Sequence, residues 1–128
     1  MIENVKATVS EMVTDSKTAL SIGSGSLKVY ATPAMLALIE KASCEALKSV
    51  LDDGDTSVGT LLNVKHLAAT PIGMEVSATA ELVERDGRKL VFDVKAYDES
   101  GLIGEGVHER FIVSADRFVE KTYSKLNK

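Results

Sequence analysis

Tryptophan is absent from this sequence, and cysteine, histidine and proline are scarce: one Cys, two His and two Pro. The single cysteine, Cys44, excludes an intramolecular disulfide and a cysteine-based zinc cluster, and it suits a reducing compartment. Two histidines without HExxH-type spacing leave no His-rich metal site. Neither a P-loop nor a GxGxxG fingerprint is present, so no cofactor is expected. No apolar run approaches the roughly 18 residues that suggest a membrane span. The opening Met-Ile-Glu-Asn-Val-Lys lacks the apolar stretch of a signal peptide, and a cytoplasmic location is the expectation. A basic excess is missing too. Net charge is −4 and the pI about 5.2, which gives nucleic-acid binding no electrostatic support and obliges any anionic ligand to find a local basic contact.

What is present belongs to an ordinary globular protein: 45% hydrophobic and 27% charged residues in 128, the size of one domain over residues 1–128. The clearest element is a helix that Thr32-Pro33 opens, the threonine as N-cap and the proline at the first helical position. Its pattern runs to about Leu51, and Asp52-Asp53-Gly54-Asp55 reads as a stop. Before it, Gly23-Ser24-Gly25-Ser26 reads as a flexible loop. After it come strands over Ser57 to Leu67, Glu75 to Glu84, Leu90 to Ala96 and Leu102 to Val113, with turns at Asp86-Gly87 and Glu99-Ser100-Gly101. Ser114 is placed to cap a short amphipathic helix carrying Phe118, Val119 and Leu126. One long helix followed by an antiparallel meander is an α+β pattern. The curved sheet must cover an apolar face, and only the long helix is large enough to fill it.

On that helix, at about 100° per residue, Leu38, Ala42, Met35, Ala46, Ile39, Val50, Leu36, Leu47 and Leu51 form one apolar arc. Glu40 falls between Leu47 and Leu51, roughly 80° or more from the charged residues Lys41, Glu45 and Lys48. A carboxylate facing a core costs several kcal/mol unless it is paired or protonated. Desolvation would raise its pKa towards that of a general base or acid. The alternative is a position at the edge of the arc with the carboxylate in water. Thr32 reads first as a cap, and compatibly with that as a hydroxyl in the positive field of a helix start. His66, in phase with Leu62 and Val64, faces inward, either as a hydrogen-bonded core residue or as a catalyst. His108, in Gly-Val-His-Glu-Arg on the last strand, reads as a solvated or edge residue unless it meets a ligand.

Several stretches in fixed order carry a resemblance: Ala31-Thr32-Pro33, Leu38-Ile39-Glu40, Ser57-Val58-Gly59-Thr60, Val64-Lys65-His66-Leu67-Ala68-Ala69-Thr70-Pro71 and Gly104-Glu105-Gly106-Val107-His108-Glu109-Arg110. Together they resemble the fluoroacetyl-CoA thioesterase family of hot-dog-fold proteins, from about Thr18 to the terminal helix. The resemblance implies a curved antiparallel sheet around one central helix. It also implies hydrolysis of a small acyl thioester, with coenzyme A as part of the substrate, by a homodimer with its site at the subunit interface. Its threonine, glutamate and histidine fall on Thr32, Glu40 and His66. Its glycine near the thioester falls on Gly59, and an arginine on the last strand on Arg110, read as a phosphate or pantetheine-side contact. Gly59, Arg110 and His108 are the candidate substrate-binding residues. Whether Glu40 activates water or attacks, and whether Thr32 positions or carries the acyl group, stays open. A hot-dog hydratase or dehydratase and a non-catalytic acyl-CoA-binding module are the competing readings. At one place the chain departs from the family. Fluoroacetyl-specific members carry lid phenylalanines before the threonine, whereas Lys17 to Val29 has none, so a short-chain acyl group fits this sequence better than fluoroacetyl.

Overall fold

A computed structural model describes residues 4–127. Five strands form one antiparallel sheet: β1 (Lys6–Met12), β2 (Asp55–His66), β3 (Glu75–Asp86), β4 (Lys89–Asp98) and β5 (Gly101–Ser114), in the order β1-β3-β4-β5-β2. The long helix α2 (Thr32–Leu47) packs mainly on β1 and β3. A short helix α1 (Ala19–Ile22) precedes it, and α3 (Ala115–Tyr123) follows the sheet. Among the described residues no helix is long and apolar enough to cross a membrane.

Alternation explains the meander. Val76, Ala78, Ala80 and Leu82 of β3 and Leu90, Phe92, Val94 and Ala96 of β4 are all buried. They face Met35, Leu38, Ile39, Ala42, Ala46 and Leu47 of α2. Each large apolar side chain so buried contributes roughly 1.5–3 kcal/mol, and this shared interface closes the sheet around the helix. Glycine permits one close approach: a Cβ at Gly104 would stand 2.7 Å from the Met35 sulfur.

Three local expectations change. The helix ends at Leu47, four residues before Leu51; Val50 and Leu51 still pack on the core from the turn that follows. The N-cap position belongs to Ala31, so Thr32 is the first helical residue and its hydroxyl caps nothing. The segment before α2 is more ordered than a flexible loop. Thr18 caps α1 by accepting from the Ser21 N–H, Gly23 ends it at φ 91°, and bridges Thr18↔Tyr30 and Val29↔Pro71 tie the segment down. At the other end Ser114 does hold the N-cap position of α3, but its side chain makes no capping bond and no residue of α3 is buried.

Candidate functional site

The six residues singled out in the sequence fall into two clusters. In the first, the Thr32 hydroxyl lies 2.7 Å from His66 Nδ1. The start of α2 supplies one and the end of β2 the other. They line a shallow pocket of about 290 Å³ with Ala19, Ser24, Val29 and Leu67. Tyr30, its hydroxyl held by Glu11 at 2.6 Å, forms part of the wall. Burial pushes the His66 imidazole below its usual value, with the Ala68 backbone acting the other way to a lesser extent. Its Nε2 is buried and has no hydrogen-bond partner among the described residues. A buried polar atom left unpaired is costly and calls for a reason.

The second cluster lies two turns along α2, about 12 Å from the first at 1.5 Å per residue. Glu40 Oε2 stands 3.6 Å from Arg110 Nη1. Of the two remedies for a core-facing carboxylate, pairing is the one observed. The Glu40 side chain also keeps 40% of its exposure, so the carboxylate stands at the edge of the core rather than inside it. Gly59 packs against this carboxylate: a Cβ there would be 2.5 Å from Glu40 Oε2. The register shift between Gly59 and Leu61 marks a β-bulge at Thr60, the kind of irregularity that re-aims side chains beside functional sites.

Arg110 and His108 differ from what the sequence suggested. Arg110 is 5% exposed and its guanidinium is already engaged. Nε donates to Ser57 Oγ at 2.7 Å, Nη2 to the Ser57 carbonyl at 3.0 Å, and Nη1 reaches His108 Nε2 at 3.2 Å. It is the counter-ion of Glu40 and has little left for a phosphate. His108 is fully buried rather than solvated or at an edge. Its Nδ1 is 2.8 Å from the Leu61 carbonyl and its ring stacks on Phe92 at 6.3 Å. It therefore contacts Arg110 and the backbone within the chain. Ser57, in the Ser57-Val58-Gly59-Thr60 stretch, holds Arg110, a role for which a lone serine on a strand carries no sequence signal. Among the described residues no three His, Cys, Asp or Glu side chains group as metal ligands.

Comparison with known proteins identifies the family and the fold. A sequence model of the fluoroacetyl-CoA-specific thioesterase family matches residues 13–116. The fluoroacetyl-CoA thioesterase of Streptantibioticus cattleyicolor is 41% identical over 98 residues, covering 77% of this chain and 70% of that protein. A solved fluoroacetyl-CoA thioesterase superposes with a TM-score of 0.88 at 35% identity, over 94% of this chain and 93% of that one. A variant of that enzyme with fluoroacetate and CoA bound gives 0.83 at 35% identity, over 88% and 95%. A thioesterase superfamily member from Thermus thermophilus gives 0.86 at 30% identity, over 95% and 90%. This chain belongs to the fluoroacetyl-CoA-specific thioesterase family and has the hot-dog fold.

Proposed function

We propose that the chain is an acyl-CoA thioesterase that hydrolyses small or short-chain acyl-CoA to free acid and CoA. In this reading it acts as a cytoplasmic homodimer whose sites each join Thr32 and His66 of one protomer to Glu40 of the other. The observation that carries the reading is the division of the candidate triad. Each half is internally complete, and the two stand apart in one chain yet lie along the same edge strand. His66 ends β2, Gly59 holds Glu40 near its start, and Gly59 to Leu62 are exposed, Leu61 by 44% and Leu62 by 37%. An unpaired strand edge is a template for pairing with another chain. Antiparallel pairing of two copies of β2 about a two-fold axis between Leu62 and Asn63 sets Gly59 of one opposite His66 of the other.

The chemistry follows from the hydrogen bonds. When the Thr32 O–H donates to His66 Nδ1, the imidazole proton sits on Nε2. That N–H has no partner among the described residues, and a small turn of the ring toward the pocket it lines would make it the donor for the thioester carbonyl oxygen as negative charge develops there. Glu40 takes a proton from the attacking water as the carbon–oxygen bond forms. The carbon–sulfur bond then breaks and the thiolate of CoA takes that proton back. No cofactor enters. Between Lys17 and Val29 the pocket beside Thr32 receives Ala19, Ser24 and Val29, and Tyr30 forms part of its wall. With no lid phenylalanine between Lys17 and Val29, short-chain acyl-CoAs fit the site, without preference for the fluorinated one.

Thiol release tests the reaction over acetyl-, propionyl-, butyryl- and fluoroacetyl-CoA. Hydrolysis lost in Glu40→Gln supports the reading. Tight acyl-CoA binding without thiol release would favour a binding module, and water addition to an enoyl-CoA would favour a hydratase. Mixing Thr32→Ala with Glu40→Gln tests the shared site. Random re-pairing of two inactive homodimers restores about a quarter of wild-type activity when the halves come from different protomers, and none when they come from the same one.

A further inference from the structure

The polar groups buried around β5 admit one bonding pattern. A guanidinium has donors and no acceptor, so His108 Nε2, 3.2 Å from Arg110 Nη1, must be accepting. The ring is then neutral. Its proton lies on Nδ1 and is donated to the Leu61 carbonyl at 2.8 Å. Ser57 holds the other side of the guanidinium through its hydroxyl at 2.7 Å and its carbonyl at 3.0 Å. Fixed on both sides, the fork turns Nη1 to Glu40 Oε2 at 3.6 Å. Among the described residues Arg110 is the one cation within salt-bridge range of Glu40. The charged groups facing the His108 ring are Arg110 on its own strand and Glu40 from α2; β4 presents the Phe92 ring and β2 the Leu61 backbone.

We propose that His108 is a positioning residue for thioester hydrolysis. As the neutral Nδ1–H tautomer it holds Arg110, and through Arg110 it holds the Glu40 carboxylate where the reaction needs it. This rests on the proposed reaction, in which Glu40 acts on the attacking water. It assigns a purpose to a buried histidine whose ring nitrogens meet Arg110 and the Leu61 carbonyl. Protonating His108 would set an Nε2–H against an N–H of Arg110, two donors face to face. The guanidinium would then have to turn, and Glu40 would lose its partner.

Two substitutions separate the two ring bonds. His108→Gln sets its amide near the Nε2 position and still accepts from Arg110. His108→Asn sets its amide near the Nδ1 position, still donates to Leu61, and leaves Arg110 without an acceptor. With acetyl-CoA, kcat of the Gln variant should stay within about threefold of wild type. The Asn variant should lose about tenfold or more, the worth of one hydrogen bond to a charged group. KM should hardly move in either. Equal losses in both variants, following their thermal midpoints, would overturn the role. A wild type that hydrolyses no acyl-CoA would overturn the role together with the proposed reaction. Nitrogen NMR of the wild type reads the wiring without any assay: at neutral pH Nδ1 of His108 should be protonated and Nε2 bare. A charged ring or the opposite tautomer would remove the basis of the proposal.

Discussion

A methyl group at position 59 would stand 2.5 Å from the Oε2 of Glu40, so the missing side chain of Gly59 is what gives that carboxylate its place. The glycine lies on the exposed edge strand beside a bulge, and the same methyl group would stand 3.3 Å from His108 Cε1 and 3.4 Å from Arg110 Nη1. A side chain there is opposed by the tip of a flexible residue rather than by backbone.

Gly59→Ala should therefore cost little stability, within about 1 kcal/mol because Glu40 can swing aside. It should cut kcat by about tenfold or more through loss of position. Urea denaturation and thiol release, run on the same preparation, check the two halves. Loss of folding in proportion to loss of activity would contradict the assignment.

Arg110→Lys keeps the charge and loses the fork. An ammonium cannot reach both Ser57 acceptors, His108 and Glu40 together. Activity should fall by about tenfold or more while KM for acetyl-CoA changes little, because the guanidinium serves Glu40 rather than the phosphates. A rise in KM with unchanged kcat would return Arg110 to the substrate-contact role first expected of it. Arg110→Met should destabilise by about 2–3 kcal/mol in urea, since Ser57 and His108 lose their partner; Glu40 keeps solvent access and adds little.

Thr32 separates a cap from a catalytic hydroxyl. Removing a capping side chain costs about 1 kcal/mol. Thr32 makes no capping bond, and its hydroxyl goes to His66 instead. Thr32→Ala should leave the urea midpoint almost unmoved and abolish most of the activity, whereas Thr32→Ser should retain much of it. A stability loss typical of a cap, with activity intact, would reverse that conclusion.

Burial holds both imidazoles below the ordinary histidine value of 6.5. For His108, the Leu61 carbonyl raises the value, Arg110 lowers it and Glu40 raises it, in falling order of effect. The unfolded chain thus takes up protons first as pH falls, so stability is fully present above about pH 6.5 and declines below it, until the folded groups titrate as well. Urea midpoints measured from about pH 7.5 down to about pH 5 should show this decline, and His108→Gln should flatten part of it. An unchanged slope in that variant would mean that His108 does not carry its share.

Much of the scaffold was legible because its physics is local. The alternation in β3 and β4 names the buried face residue by residue, and Pro33 with Asp52-Asp53-Gly54 brackets the long helix to within a few residues. Glu40 stood out because a charge interrupts an apolar arc, which is arithmetic on the chain. Reading β5 by the same rule misleads. From Val107 onward its apolar residues Val107, Phe111 and Val113 suggest the inward face, yet His108, Arg110 and Ile112 are the buried ones there, with Ile103 and Gly104 buried nearer the strand's start, and Phe111 is 42% exposed. The strand is turned by its place in the sheet and by the polar network it carries, and side-chain hydrophobicity was outweighed.

The sequence by itself determined the order of elements, the apolar stripe that the sheet closes on, and the residue types able to attack a thioester. Only the tertiary structure decided how they are wired. Thr32 meets His66 because the start of α2 lies against the end of β2, a contact across 34 residues that no local signal encodes. Arg110 serves Glu40 rather than a phosphate because β2 and β5 pair in the register that sets Gly59 opposite it and brings Ser57 to its other side. Registers and helix crossings are fixed by packing the whole core at once, and a site shared among α2, β2 and β5 takes its geometry from that packing.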